Sequence, residues 1–469
     1  MTDGEQMDVS KSGDQTADDA SPGQDLLFAP LTTFLDAMQA SFDLEEFISK
    51  SRRELTDVEN AFTAEASRRL PGDPESVHRQ AASVIHRDIH EHMSARKDSR
   101  ESEASEATIA EMRDDFLAKL RCDLLEVTGK PEYYHWYGPI WQRAQTRPDK
   151  TRILLASLLM SVVSDFEVLV SALVRALLLL RPEILRSDEA KYSMRDLEAF
   201  SDLDEFRRHC AERMADALLR GSYEDWMQWF SKRHNLVVPG VTDCPVGVVE
   251  VFQRRHLFVH NGGVVNSLYL LKIEGLSEPP VIGKRLTISE AYLQGAIHKL
   301  TVAGIKLVIA LAAKLFPDPE TIKSIDSLVS SITYELLMAG RYISVEEVNV
   351  WHLTFVQHPS PRLVAMVNIW ISRKAMRGMR AIREEVEAWD TETLADKFKL
   401  AKLALLERHE EAYALVKRLI ANEELAMRSW QEWPLFEGLR RYETESEFEP
   451  IGQSVQPFEA THTDEPAPE

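Results

Sequence analysis

With 469 residues, 44% hydrophobic and 28% charged, the chain can bury a large core in two or three domains, which excludes a small disulfide-held scaffold and a wholly disordered polypeptide. The formal charge of -21 argues against a broad basic face for nucleic acid. Much of that charge sits in the ends: residues 1–26 hold seven acids against Lys11 and residues 442–469 hold eight acids with no Lys or Arg, leaving about -7 between them and room for a local nucleic-acid contact.

Residues 1–25, rich in Asp, Ser, Gly and Gln, read as a disordered acidic N-terminus without the basic and apolar regions of a signal peptide. Cys122, Cys210 and Cys244 are odd in number and widely spaced, which fits neither a disulfide framework nor a zinc knuckle and suggests the reducing cytoplasm. Only 19 glycines and few alternating apolar runs favour an all-α fold.

Residues 26–130 read as a helical extension. Leu26, Leu27, Phe28, Leu31, Phe34, Leu35, Met38, Phe42 and Phe47 make an irregular helical pattern, Ser76–Arg96 a polar helix, and Ala107–Val127 another helix. His86 and His90 lie one turn apart with Asp88 or Glu91 near, yet the pattern places no third metal ligand, so a solvated helix face is expected and no metal is assigned. The aromatic, turn-rich run from Pro131 to Pro139 is expected to strap onto the central domain.

Residues 131–317 read as the central helical bundle, its helices starting near Arg152. Ile153–Leu180 and Thr301–Phe316 are strongly apolar but are interrupted by Asp165, Glu167 and Arg175 or by Lys306 and Lys314, so core helices rather than membrane spans are expected. In the first of them Ser157, Ser161, Ser164, Ser171 and Arg175 form a polar stripe, and Asp165 borders it. Tyr223, Trp226, Trp229 and Phe230 recur at helical spacing and point to packing rather than base stacking, while Lys232, Arg233 and His234 offer a short basic group.

The stretch from Val248 to Gly263 organises the bundle. Val248, Val249, Phe252 and Val259 recur at helical spacing, and Asn261-Gly262-Gly263 would end the helix. Arg255 and His260 enclose four residues and stand roughly 140° apart on a helix, close enough for a guanidinium and an imidazole to share a cleft. Arg supplies fixed donors to phosphate oxygens and His moves protons near neutral pH, a pairing suited to phosphodiesters. Asp165 and Glu167 are the acids expected to position Arg255 or His260; alternatively Asp165 pairs with Arg175 or faces solvent.

Residues 320–440 change character. Short helices are expected over Thr321–Leu337, Val345–Phe355, Arg362–Trp389, Thr393–Glu407, Glu410–Ala421 and Trp430–Arg440, followed by a disordered acidic tail from 441. Ala401–Leu415, with small Ala residues where helices would cross, resembles the turn of a tetratricopeptide-type hairpin, so this region is read as a TPR-like helical repeat, a surface for a protein partner or trigger, a scaffold or a dimer arm.

The run Arg255-His256-Leu257-Phe258-Val259-His260 resembles the signature of HEPN-superfamily ribonucleases, in which an Arg, four to six residues and a His carry the activity. The family often has Asn directly after its Arg, and here that place holds His256. The resemblance covers roughly residues 150–317 and implies a bundle of four or five helices, dimerisation through it, and cofactor-free cleavage of single-stranded RNA. In that reading Arg255, His260, Asp165 and Glu167 form the catalytic set, and Arg254, His256 and Asn261 bind substrate. The 2′-hydroxyl would attack the phosphate, His260 move protons, and Arg255 stabilise charge, leaving a 2′,3′-cyclic phosphate. Such domains with added helices are frequent in bacterial toxins and anti-phage, abortive-infection systems. The other reading is a non-catalytic interaction or nucleotide-binding module within an assembly.

Overall fold

A computed structural model describes residues 22–101, 106–184, 197 and 199–445; among these no strand occurs, and the protein is all-α. Most of the two ends expected to be disordered lies outside the described residues. Residues 22–25 and 441–445 do not: Pro22–Asp25 opens helix α1 (Pro22–Lys50), with a proline in the first turn where its missing N–H is harmless and Asp25 beside the positive helix end, and residues 441–445 close the last helix, Glu437–Glu445. By backbone packing the chain divides into two compact units, one of Met1–Gln39, Val162–Lys284 and Gly295–Glu469, the other of Ala40–Ser161 and Arg285–Gln294. They cut across the boundaries expected at 26–130, 131–317 and 320–440.

The smaller unit holds α2 (Arg52–Thr56), α3 (Val58–Arg69), α4 (Glu75–Glu101), α5 (Glu106–Thr128) and α6 (Tyr133–Gln145). Asp57 starts α3 by accepting from the amides of Glu59 and Asn60. Phe62, Ala66, Ala81, Ala82, Ile85 and Leu124 meet Tyr137, Ile140 and Trp141 in one core. The aromatic run is thus part of a helix in this core rather than a strap on the central bundle: Tyr133, Tyr137, Ile140, Trp141 and Ala144 share one buried face, while Gly138 and Pro139 fall on the exposed side, where water can satisfy the carbonyl that proline leaves free. His86 gives its Nδ1 to Glu59 at 2.5 Å, and buried Asp88 is held by Arg87 and Lys119. Among the described residues no group of three or more metal-ligating side chains forms.

The larger unit contains most of α7 (Lys150–Leu180), then α8 (Leu203–Leu219), α9 (Tyr223–Gln228) with a π-turn to Arg233, α10 (Val246–Asn261), α11 (Ser267–Lys272) and most of α12 (Glu290–Leu315). Asp202 caps α8, and Ser222 with Asp225 forms a capping box on α9. Although α12 is long and apolar enough to cross a membrane, its most apolar window is 72% buried within the fold. Of the serine stripe on α7 only Ser171 is fully buried; Ser157 and Ser161 are exposed.

Close approach is built into α12 at Gly304, where an added Cβ would lie 2.5 Å from Phe34 Cε1 and 3.0 Å from Leu169 Cδ2. Gly304→Ala is therefore expected to lower stability by about 1–3 kcal/mol through overpacking, despite a helix-propensity gain of about 1 kcal/mol. Urea unfolding checks this; an unchanged midpoint would mean that Phe34 swings aside without cost.

The same unit continues through α13 (Pro319–Met338), α14 (Tyr342–His352), α15 (Pro359–Arg377), α16 (Arg383–Ala388), α17 (Asp396–Leu405), α18 (His409–Ala421), α19 (Met427–Glu432) and α20 (Glu437–Glu445). The helix expected over Arg362–Trp389 is broken at Gly378, whose φ of 79° ends α15. Pro434 likewise splits the last expected helix, leaving α19 and α20 joined by a 3-10 turn. The hairpin at Ala401–Leu415 forms as α17 and α18, which bury Leu400, Ala401, Ala404 and Leu405 against Ala412, Val416 and Leu419. Asp326 of α13 is fully buried and accepts from His352 Nε2 at 2.9 Å, His358 Nδ1 at 2.7 Å and the backbone amides of Gln357 and His358, tying α13 to the chain between α14 and α15.

Candidate functional site

The stretch singled out in the sequence is α10. Pro245 precedes it, and Gly262 ends it in the left-handed conformation at φ 57°, with Gly263 following at φ 79° and donating its amide to Leu257 O at 3.1 Å. Asn261 completes the end by donating its side-chain amide to Val264 O at 2.5 Å. Val248, Val249, Val251, Phe252 and Leu257 are buried. Val259, expected on the same face, is 47% exposed, because the last turn of α10 projects past the core that holds its first three turns.

Phe252 anchors that core. Its ring stacks on Tyr223 at 4.9 Å and meets Trp226 at 5.6 Å and Phe166 at 5.7 Å edge-on, and Phe166 in turn meets Phe34 at 6.0 Å. Tyr223, Trp226 and Phe230 are buried, so this aromatic run serves packing, as its spacing indicates. Phe166 lies between Asp165 and Glu167 on α7, while Phe252 lies one turn before Arg255 on α10. Packing the two phenyl rings therefore brings the acids of α7 alongside the basic turn of α10.

Of the two acids it is Glu167 that reaches Arg255, with Oε2 at 3.4 Å from Nη2 and side-chain exposures of 29% and 30%. Burial raises the Glu167 carboxyl, and the Arg255 guanidinium opposes this without reversing it, so the group stays above the usual carboxylate range. Among the described residues a long contact of this kind leaves most of the donors of Arg255 uncommitted. Asp165, half-buried, is also raised by burial, and among the described residues it pairs with neither Arg255 nor Arg175.

His256 and His260 are both exposed on successive turns, their rings 4.5 Å apart between centroids and tilted by 45°. Burial lowers the His256 imidazole below its ordinary value, with the electrostatic influence of His260 and Arg255 adding to the effect. Among the described residues no hydrogen bond or ion pair joins Arg255 to His260. Arg255 lies instead against Glu167 and acts electrostatically on His256, which packs on His260.

Two flanking residues expected to bind substrate are already engaged. Arg254 has a side chain only 14% exposed and gives Nε to Glu250 Oε1 at 2.6 Å, the same oxygen that accepts from Tyr269 Oη at 2.6 Å. This makes it a strut between α10 and α11, and its i,i+4 spacing from Glu250 was readable in the sequence although overlooked. Asn261 spends its amide on the helix end, as above. His234, from the basic group after the π-turn, is held down to about 4 by burial, with Arg233 and Lys314 adding to it, and is therefore neutral near pH 7.

The arrangement thus offers a guanidinium with donors free among the described residues, two exposed imidazoles, and two carboxyls raised by burial, all in one part of the larger unit. Compared with protein-family models, curated proteins and solved structures, the chain matches none.

Proposed function

We propose that this chain is a metal-independent endoribonuclease of the HEPN type that cuts single-stranded RNA, working in the cytoplasm as a homodimer and as a toxin or abortive-infection effector against phage. The observation that carries the reading is the end of α10, where the chain presents Arg255, His256 and His260 to solvent beside Glu167 while the rest of the helix is locked in core. In the proposed step the RNA 2′-oxygen forms a bond to phosphorus as the bond to the 5′-oxygen breaks. An imidazole accepts the 2′-hydroxyl proton and a proton is returned to the leaving 5′-oxygen, with His260 as the exposed group at the helix end. Arg255 donates to the non-bridging oxygens as their charge grows, and Glu167 orients it. The C-terminal helices, which include a TPR-like hairpin, would receive the partner or trigger that controls cutting.

The test is the chemistry of the product ends. Labelled single-stranded RNA incubated with the full chain in EDTA is expected to yield fragments ending in 2′,3′-cyclic phosphate, and His260→Ala is expected to yield none. Cutting that survives His260→Ala would overturn the assignment. No cutting by a folded wild-type protein would favour the interaction or nucleotide-binding module.

A further inference from the structure

We propose that His256 and His260 form a bidentate site for a borderline-soft divalent cation of the zinc class. Residues four apart on a helix lie one above the other, and this pair sits on the last two turns of α10 with ring centroids 4.5 Å apart. Zinc binds imidazole nitrogen at about 2.0–2.1 Å, so two rings already side by side would share one ion after side-chain rotation, each giving one ring nitrogen. Neither imidazole takes part in a hydrogen bond among the described residues, so no protein contact has to be broken. Free-base imidazole is the ligating form, so protons compete with the ion for this site. The remaining positions of the ion would go to water, since among the described residues no third ligating side chain joins the group.

The chain contains a built-in comparison. His86 and His90 are also exposed at i,i+4 spacing on α4, yet His86 already commits Nδ1 to Glu59 at 2.5 Å, and the intervening Asp88 is buried under Arg87 and Lys119. Among the described residues the site at 256 and 260 carries no such prior engagement.

Occupancy would have a chemical consequence, and that consequence rests on the nuclease reading. A His260 whose lone pair is held by zinc can neither accept the 2′-hydroxyl proton nor return one, so zinc would switch the cut off and EDTA would restore it. The binding itself does not depend on that reading.

The test uses the full chain without a histidine tag, stripped with EDTA, desalted and titrated with zinc chloride in a calorimeter in the absence of RNA. Wild type is expected to bind one ion at this site. His256→Ala and His260→Ala, each checked for unchanged helical circular dichroism, are expected to weaken it by more than the roughly 10- to 100-fold that even an outer partner of a metal ligand is worth. The double substitution His86→Ala with His90→Ala is expected to leave it in place. Zinc binding that survives both α10 substitutions, or that disappears only in the α4 double variant, would overturn the proposal. Because no RNA is present, a wild type that binds zinc but never cuts sinks only the nuclease reading, and one that cuts but binds no zinc sinks only the cation site.

Discussion

In the proposed ribonuclease reaction, replacing Arg255 by alanine is expected to lower the rate of RNA cleavage by about 10²–10³-fold, the cost of removing one charge-stabilising donor set from a transition state. The loss should appear in kcat rather than KM, because charge on the phosphate oxygens grows only as the pentacoordinate state forms. Arg255→Lys should recover a minor part, since a point charge replaces the planar fork. Glu167→Gln should cost less than Arg255→Ala, because the 3.4 Å contact positions the guanidinium without touching substrate. Stability is expected to change little in any of these variants: the pair is long and about a third exposed, and such ion pairs contribute about 0–1 kcal/mol. Single-turnover cleavage beside urea unfolding separates the effects. An Arg255→Ala protein that is folded and cuts at the wild-type rate would remove this residue from the chemistry.

Asp326→Ala is expected to be the most destabilising of the substitutions considered, by about 3–5 kcal/mol, because it leaves the fully buried His352 without the carboxylate that satisfies its Nε2 and strips two backbone amides of their acceptor. The same cluster should make the fold acid-sensitive. Burial acts to raise the Asp326 carboxyl, but the hydrogen bonds from His358 and His352 outweigh it and hold the group below its ordinary value. That contribution is present above the unfolded carboxyl value of about 3.9 and is lost as pH falls through the lower native one. His352 is lowered by burial, which the contact with Asp326 offsets only in part, so from about pH 6.5 downward the unfolded chain takes up a proton that the native imidazole resists. Both groups therefore weaken the fold on acidification, His352 first. Urea midpoints should fall from pH 7 to pH 5, and His352→Gln should flatten that slope. A midpoint for Asp326→Ala within about 1 kcal/mol of wild type would show that the cluster is solvated rather than buried.

Much of the helical layout was readable because its signals are local. Asp57, Asp202, Ser222 and Asp318 stand where helices begin, Gly262 where α10 ends, and apolar residues recur at helical spacing between them. Two breaks were missed, at Gly378 and Pro434, although each residue type announces one; the apolar pattern continuing on both sides concealed them. The aromatic run at Tyr133 was misplaced for a different reason. Its prolines and glycine suggested a turn, whereas the periodic face of Tyr137, Ile140 and Trp141, which tertiary packing rewards, kept it helical.

The candidate site divides in the same way. By itself the sequence determined the basic turn of α10: Arg255, His256 and His260 share one short stretch, and the asparagine and glycines after them end the helix, because spacing and backbone preference act within a few residues. Only the tertiary structure decided which acid serves that turn and which neighbours are already occupied. Glu167 rather than Asp165 meets Arg255 because Phe166 packs on Phe252 and sets the rotation of α7 against α10. Arg254 is withdrawn by Glu250, whose carboxylate is fixed by Tyr269 on the next helix. Such choices depend on the fit of side chains far apart in the sequence, where the rotation of one helix against another decides which of two acids on it is presented.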